Sequence, residues 1–424
     1  MLNSRALRTK PASTITAVAA LLIVIAAGLI AARLMNMSTG FRANPVEAFS
    51  DFNFYYYAFT VVLHQPHDAA LLYDHDALVA FLQTMDARHK GFDILYGYPP
   101  QFALFFSWLG LLTLLDAKIA WTLMSIVLCA IGVILVAKTA YRGDERGATL
   151  LLVAIALLNR PIVENVFWGQ SNELLFFLLA ATLFLMERGK RYWAGLFLAL
   201  AIVLKVTPLA VAGLLLLRRE WRTVAATFAW SVAFTLVTAV YLGFRVVWHY
   251  FISDMPRLNA QNLSMGGLPG NNSVRGVLQT ISGGMGMPAS NATLTTVGLL
   301  VALAVCLLSA YLVFRRHADR RIDYALACMT MLVASPMLEP VHMMVTLIPL
   351  MILFGTAFEQ HGQQGSAIAP RMEMLLGTLA VVLLVFSVRF VSYNAAALIV
   401  YGLCVARYFP PSAMRRQARA RRFS

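Results

Sequence analysis

The chain has 424 residues, of which 60% are hydrophobic and 13% are charged, and its mean hydropathy is +0.71. Soluble globular proteins carry about a quarter charged residues, so this composition excludes an ordinary soluble domain and indicates a chain that lies mostly in lipid. The net charge of +14 does not require nucleic acid as a partner, because the cytoplasmic loops of membrane proteins collect lysine and arginine. We therefore expect a lipid bilayer as partner and no nucleic acid.

Apolar runs alternate with short basic clusters along the chain. Placing every basic cluster on the cytoplasmic side puts both termini inside and predicts about 12 crossings. They are expected at 14–32, 118–138, 148–160, 171–187, 192–204, 206–217, 223–243, 293–314, 322–337, 341–357, 371–388 and 391–407. The fold class is thus an all-α polytopic membrane protein, with residues 1–424 as one integral membrane domain.

Two features of these runs concern the outer side of the membrane. The chain leaves the cytoplasm at the first span and must be back inside at the next basic cluster. The single span 118–138 achieves this, so the apolar stretch 98–115 should not cross and should lie at the outer interface. The spans 192–204 and 206–217 are too short to cross as straight helices. Broken helices are tolerated where protein or a wet cavity covers them, so we expect a cavity near Lys205.

Two long outer segments, 33–118 and 244–291, hold most of the polar residues between the spans. Loops of this length are usually functional. The second contains GGLPGNNS and SGGMGMPAS, a composition that favours a mobile lid over a site, with a disordered linker as the alternative.

Asp51 is an isolated carboxylate in the aromatic stretch FSDFNFYYYA of the first outer segment. Partial desolvation at a membrane surface would make it more basic and suit it to accept a proton from a hydroxyl. Capping of a helix amino terminus explains the same residue equally well. Further along, the run Tyr73-Asp74-His75-Asp76 offers cation ligands, but a solvated turn is the favoured interpretation.

Other polar residues stand near the predicted outer helix ends. Gln170 and Asn172 follow Gly169 and suit sugar hydroxyls, although helix capping by Ser171 and Asn172 also fits. Lys205 must either snorkel to the surface or meet an anion such as a lipid phosphate. Tyr98, before two prolines, is a candidate for the cavity wall.

Two later motifs offer further contacts to an anion. Arg275, in NNSVRG, is suited to a bidentate contact with phosphate. His342, in SPMLEPVH, is suited to donate to phosphate or to act as an acid or base, and a histidine satisfied within the protein is the alternative.

The order of the motifs FSDFNFYYYA, LLYD, YPP, GQSN, LKVTP, NNSVRG and SPxxxxxH, over about residues 45–345, resembles glycosyltransferase family 87. These are polyprenol-phosphate-mannose-dependent mannosyltransferases of the GT-C superfamily. The resemblance implies a GT-C fold with interfacial helices in the first outer segment. It also implies inverting transfer of a sugar, mannose above others, from a polyprenyl-phosphate donor to an acceptor hydroxyl. We expect a glycolipid or polysaccharide as the acceptor, and a protein is the alternative that the sequence leaves open.

The resemblance also implies roles for single residues. Asp51 would be the general base, and Lys205, Arg275 and His342 would hold the donor phosphate. Gln170 and Asn172 would lie near the sugar or acceptor, and Tyr55, Tyr98, Asn272 and Glu339 are our further candidates for this contact. Glu339 departs from the pattern, since a tryptophan often follows the late Ser-Pro. No metal and no cofactor is implied, and the site would face the extracytoplasmic side of the inner (plasma) membrane.

Two other functions fit parts of the sequence. A transporter or flippase for a lipid-linked or small polar substrate would also have broken helices and a cation within the membrane. However, no internal repeat is visible, and the charges stand at outer helix ends rather than at the midplane. A non-catalytic assembly subunit would not need Asp51.

Overall fold

A computed structural model describes residues 10–43, 50–85, 96–143, 145–264, 271–316, 318–364, 368–386 and 391–409. Within these ranges the chain is helical and contains no β-strand, which confirms the predicted all-α class. The first basic cluster before Lys10, the GGLPG part of the predicted lid and most of the last basic cluster lie outside the described residues.

The first half of the chain forms helices joined mostly by short connections. The α-helices are α1 Lys10–Ala43, α2 Ser50–His64, α3 His75–Met85, α4 Pro100–Phe106, α5 Leu114–Ala140, α6 Arg146–Leu157, α7 Arg160–Trp168, α8 Asn172–Glu187, α9 Arg191–Leu204, α10 Leu209–Leu217 and α11 Trp221–Leu242. Segments of 3₁₀ helix cover Pro66–Tyr73 and Ser107–Leu111.

The second half continues in the same way. Its α-helices are α12 Phe244–His249, α13 Met255–Ser264, α14 Val274–Gly284, α15 Asn291–Arg315, α16 Arg320–Val333, α17 Leu347–Gln364, α18 Ile368–Val385 and α19 Val391–Ala406. A π-helical turn, Tyr250–Asp254, joins α12 to α13, and a 3₁₀ segment, Pro340–Thr346, leads into α17.

Five helical segments of the described chain are long and apolar enough to cross a membrane. They are Thr14–Arg33, Leu114–Ala140, Trp221–Leu242, Asn291–Arg315 and Pro340–Gln360. The pair α6 and α7, bent by 45°, adds a sixth if it is one broken span. The predicted total of about 12 crossings is therefore not confirmed. Many remaining helices are short: α10 rises only ~14 Å, against ~30 Å for the hydrocarbon layer.

The positions of the helices agree with the apolar runs better than the number of crossings does. The runs 118–138 and 293–314 lie inside α5 and α15. The stretch 98–115, predicted not to cross, forms the short helix α4 and a 3₁₀ turn instead of one long helix. Hydrophobic runs thus locate helices correctly, although they do not decide which short helices span the bilayer.

Charged side chains from separate connections meet at one end of the helices. Arg320, at the start of α16, donates to Glu187 at the end of α8 (3.4 Å) and to Glu220 before α11 (2.9 Å). Arg142, after α5, donates to the same Glu187 (2.5 Å), and Arg191 at the start of α9 pairs with Glu220. The basic clusters of these connections, whose cytoplasmic placement stays a prediction, are therefore gathered at a single end.

Arg321 is the buried centre of this network, with 2% of the residue exposed. Its guanidinium donates to the carboxylates of Asp319 (3.0 Å) and Glu359 (2.8 and 2.9 Å) and to the carbonyl of Ala140 (2.9 Å). One side chain therefore ties α16 to the ends of α5 and α17.

The opposite ends of the same helices carry the predicted site residues. Helix α8 begins at Asn172, and α9 ends just before Lys205. The backbone of Lys205 is extended (φ −155°, ψ 115°), so the predicted break between the two short apolar helices is confirmed. Each of these helices therefore joins the ion-pair network at one end to the candidate site at the other.

Helix α9 packs closely on α11 through Gly195. A Cβ at this position would lie 2.5 Å from the Cβ of Ala226 and 2.8 Å from the carbonyl oxygen of Thr223. We expect Gly195→Ala to lower the free energy of unfolding by about 1–3 kcal/mol, because the helices must separate. Gly213→Ala in α10, where nothing lies within 4 Å, is the matched control and should be neutral or slightly stabilising. Thermal unfolding of both variants in detergent tests this, and equal melting temperatures would contradict it.

Candidate active site

Helix α2 places Asp51 in a polar cluster. Asp51 lies in the first turn, and its Oδ2 accepts a hydrogen bond from Nε2 of Gln170 at 2.5 Å. Phe52 and Tyr55 of the same helix pack on Trp121 of α5, each with ring centroids 5.7 Å apart. The aromatic stretch therefore anchors α2 in the core and fixes where its carboxylate reaches. Asp51 bonds across the fold to Gln170 from within the helix, rather than standing at its cap.

Hydrogen bonds join Gln170 to two tyrosines. The hydroxyl of Tyr55 lies 2.8 Å from that of Tyr98 and 3.2 Å from Oε1 of Gln170, and Ser171 Oγ donates to Tyr98 Oη at 3.0 Å. Gln170 thus donates to Asp51 through its nitrogen and accepts from Tyr55 through its oxygen. Partners on both sides fix the orientation of its amide.

The turn between α7 and α8 presents Gln170. Gly169 adopts the left-handed conformation (φ 66°, ψ 31°), which glycine reaches without strain. Its carbonyl accepts from Trp121 Nε1 (3.0 Å), and the backbone N–H groups of Gly169 and Gln170 return to the carbonyls of Val166 (3.3 Å) and Asn165 (3.0 Å). This pattern closes the carboxyl end of α7 and directs the next residue into the polar cluster.

Lys205 reaches the same region from the break between α9 and α10. Its Nζ donates to Oδ1 of Asn172 at 2.8 Å and lies 5.7 Å from the centre of the Tyr98 ring. Asn172 in turn donates to Oδ1 of Asn165, a fully buried residue of α7, at 2.9 Å. The amide of Asn172 therefore has two protein partners, one of which is the ammonium group.

The Ser335–His342 segment forms the facing wall. The backbone N–H of Glu339 donates to Nδ1 of His342 (3.0 Å), and the Glu339 side chain accepts from the His342 backbone, so the two residues form a reciprocal cap. A backbone N–H only donates, so Nδ1 carries no proton, and the ring is neutral with its proton on Nε2. His342 is thus a neutral donor in this arrangement.

A cavity of about 470 Å³ lies between these elements. Its polar lining includes Tyr98, Gln170, Asn172, Lys205, Glu339 and His342. Its apolar lining includes Leu175, Met331, Leu332, Met337, Leu338 and Val345. The cavity predicted near Lys205 is therefore confirmed, and its lining combines charged, polar and apolar side chains. Such a lining suits a polar head group attached to an apolar chain.

Two carboxyl groups of this region are stronger bases than exposed ones. Burial raises the pKa of Asp51, while the hydrogen bond from Gln170 works against the rise. Burial also raises the pKa of Glu339, the negative charge of Asp51 adds to the rise, and the positive charge of Lys205 opposes it. A carboxylate with a raised pKa accepts a proton more readily, which is what a general base requires.

Residues of the NNSVRG motif form hydrogen bonds with the Ser335–His342 segment that lines the cavity. The backbone N–H of Asn272 donates to the carbonyl of Leu338 (2.6 Å), and Oδ1 of Asn271 accepts from the N–H of Leu338 (3.1 Å). Arg275 is buried in the first turn of α14. Among the described residues, neither Asn272 nor Arg275 lines the cavity. Their direct contacts with substrate therefore stay predictions.

The Asp74 motif is a turn, as favoured from the sequence. Oδ1 of Asp74 accepts from the backbone N–H of Ala77 at 2.8 Å, at the start of α3. This is the geometry of a helix cap, and it confirms the solvated-turn interpretation.

One part of the cavity wall was missed by the sequence analysis. It comes from the second outer segment, around the π-helical turn, and consists of Tyr250, Met255, Leu258 and Asn259. Helical turns of this kind are frequent at functional sites but have no sequence signature. The length and the Gly-, Asn- and Pro-rich composition of the segment predicted a lid, and they gave no signal for these four residues.

Comparison with known proteins adds to this geometry. The sequence profile of glycosyltransferase family 87 matches residues 96–336. A polyprenol-phosphate-mannose-dependent alpha-(1-2)-phosphatidylinositol mannoside mannosyltransferase of Mycobacterium tuberculosis is 30% identical over 174 residues, 38% of this chain and 40% of the relative. The protein of the same name from Mycolicibacterium smegmatis is 29% identical over 171 residues, 37% of each chain.

A third relative matches a longer region. The polyprenol-phosphate-mannose-dependent alpha-(1-2)-phosphatidylinositol pentamannoside mannosyltransferase of Mycolicibacterium smegmatis is 28% identical over 265 residues, 62% of this chain and 61% of the relative. The chain thus matches less than two thirds of the length of each of these relatives. The family profile, in contrast, spans more than half of the chain and includes the YPP, GQSN, LKVTP and NNSVRG motifs, so the protein belongs to glycosyltransferase family 87.

Proposed function

We propose that the protein transfers mannose from polyprenyl-phosphate-mannose to a hydroxyl of an acceptor, with inversion at the anomeric carbon. The observation that carries the proposal is a cation in the cavity wall together with a carboxylate that is hydrogen-bonded to another residue of that wall. Lys205 and Gln170 line the cavity, and the partly buried carboxylate of Asp51, which is not among the described residues that line it, accepts from Gln170 at 2.5 Å. A cation for the leaving phosphate and a base for the incoming hydroxyl are the two groups that this reaction requires.

The proposed reaction is a single displacement. Asp51 accepts the proton of the acceptor hydroxyl as that oxygen bonds to the anomeric carbon. The bond from the anomeric carbon to the phosphate oxygen breaks, and polyprenyl phosphate leaves with the electron pair. Attack opposite to the leaving group inverts the configuration. Asp51 is then protonated and returns its proton to solvent.

The leaving phosphate gains negative charge in the transition state, so donors already aimed at it lower the barrier. We assign this role to the ammonium of Lys205 and to the Nε2–H of His342. Tyr98, Gln170 and Glu339, which also line the cavity, are the proposed sugar or acceptor contacts. Tyr55 supports Tyr98 and Gln170 through its hydroxyl.

We propose a glycolipid as the acceptor, because the names of the three relatives specify phosphatidylinositol mannosides. We also propose that the site faces the extracytoplasmic side of the plasma membrane. The support is the gathering of basic connections at the other end of the helices, since such connections usually lie in the cytoplasm.

The proposal is tested by transfer of radiolabelled sugar in membranes that contain the full-length protein. We expect transfer from polyprenyl-phosphate-mannose to an added mannolipid, because the cavity matches a lipid-linked sugar phosphate. Transfer only from polyprenyl-phosphate-arabinose would overturn the assignment of the sugar. No transfer from either donor, at confirmed protein levels, would overturn the proposed reaction.

A further inference from the structure

We propose that Asn165 is a positioning residue that fixes the Lys205 ammonium relative to His342. The inference rests on the proposed function in that it takes Lys205 as the contact for the lipid phosphate. Asn165 is fully buried in α7 and is not among the described residues that line the cavity, so it acts through other side chains.

The side chains of Asn165, Asn172 and Lys205 form a hydrogen-bonded relay. The partners of Asn165 fix the orientation of both amide groups in this relay. Its Nδ2 donates to the carbonyl oxygens of Pro161 (2.7 Å) and Val341 (2.8 Å), which only accept. Its Oδ1 therefore faces Nδ2 of Asn172 at 2.9 Å. The Oδ1 of Asn172 then faces Nζ of Lys205, which only donates, at 2.8 Å. Obligate acceptors at one end and an obligate donor at the other exclude a flipped amide.

The relay orders the side chain of Lys205, which the helices on either side of it do not fix. Lys205 stands between two helices with an extended backbone, so neither helix fixes its side chain. A lysine side chain has a flexible four-carbon stem and loses considerable rotamer entropy when it is ordered. The bond to Asn172 orders the ammonium before substrate arrives and leaves two of its N–H groups for phosphate oxygens.

The same asparagine also reaches the facing wall. Val341, whose carbonyl accepts from Asn165, immediately precedes His342 in the 3₁₀ segment. One amide group therefore connects the segment that carries the neutral donor to the side chain that carries the positive charge. Asn165 thereby sets the distance between the two proposed phosphate contacts, although it touches no substrate itself.

A double-mutant cycle on binding of polyprenyl monophosphate to the purified full-length protein tests the relay. We expect Asn165→Ala to weaken binding by about 10- to 100-fold, as is typical when a supporting partner of a ligand-binding group is removed. In the Lys205→Ala background the same change should have less than about a 2-fold further effect, because the group it positions is gone. Asn159→Ala is the control, since Asn159 is similarly buried, 2% exposed, and lies outside the relay.

Non-additivity distinguishes positioning from a general loss of structure. Equal losses in the wild-type and Lys205→Ala backgrounds, no loss in the wild-type background, or no binding of polyprenyl monophosphate by the wild type would each overturn the inference. If Asn165→Ala fails to fold, Asn172→Ala breaks the relay at its next link and enters the same cycle. Mannosyl transfer is measured on the same preparations: its absence would overturn the proposed function, while the binding cycle still decides the role of Asn165.

Discussion

Replacing Asp51 with asparagine should lower the rate of mannosyl transfer by about 10²- to 10⁴-fold, the range that a positioned general base contributes. The amide has nearly the volume of the carboxylate but accepts no proton at neutral pH. The substitution therefore removes the basic group while keeping the shape of the first turn of α2. Initial rates with polyprenyl-phosphate-mannose, at matched protein levels, measure the effect.

Asp74→Asn is the matched control for this experiment. Asp74 lies in the same outer segment, but its carboxylate caps α3, so its loss should leave the rate within about 2-fold and cost at most about 1 kcal/mol of stability. Full activity of Asp51→Asn would remove Asp51 from the mechanism. Glu339, a partly buried carboxyl group that lines the cavity, would then be the next candidate for the base.

The raised pKa of Asp51 has opposite consequences for rate and stability. The base acts only when ionised, so the rate should fall, as pH is lowered, at a pH above the usual range of aspartate. Since the folded-state pKa is above the unfolded value, the contribution to stability is complete below the unfolded pKa and is lost as pH rises through the folded one. Asp51→Asn should therefore melt at a temperature no lower than the wild type at neutral pH, and a large drop would contradict this account.

Replacing Lys205 with alanine should lower transfer by about 10²- to 10³-fold, the effect of losing one preorganised group at a developing negative charge. The loss should appear in the rate of the bound complex as well as in donor affinity, because the phosphate gains charge as the bond breaks. Lys205→Arg should restore little, since a planar guanidinium does not reproduce the compact ammonium that Asn172 holds.

Lys190→Ala provides the comparison. Lys190 is exposed and immediately precedes α9, whereas Lys205 immediately follows it. The two lysines are thus separated by the length of one helix, and only Lys205 lines the cavity. Comparable losses from both substitutions would indicate a general effect of charge on the membrane protein and would remove Lys205 from the proposed phosphate site.

The sequence predicts the location of the site better than the number of membrane crossings. Hydrophobic runs determine where helices form, so the polar motifs between them were placed at helix ends, and Gln170, Tyr98 and Lys205 indeed meet around one cavity. The number of crossings depends on how helices of 9 to 16 residues, such as α10 and α8, are covered by their neighbours. Pattern alone does not contain that information.

The type of a residue predicted which groups its side chain could bind, but not always which group it binds in the structure. Asn172 was expected to meet a sugar because amides suit hydroxyl groups, yet in the structure its amide meets Lys205 and Asn165. Lys205 is far from Asn172 in the sequence, and Asn165 is on the other side of the turn between α7 and α8. An amide group binds a sugar hydroxyl and a protein side chain equally well. Its contact with a sugar consequently remains a prediction, and a positioning role accounts for the bonds that it makes.

The ion-pair network around Arg321 gives the two ends of the helices different mechanical properties. The helices are joined by ion pairs at one end and are separated by a cavity at the other end. If the helix ends at the cavity spread by a small angle, the ion pairs at the other end stay intact. On the proposed function, we expect a donor whose tail stays in the bilayer to enter between the helix ends at the cavity while the ion pairs at the other end stay intact.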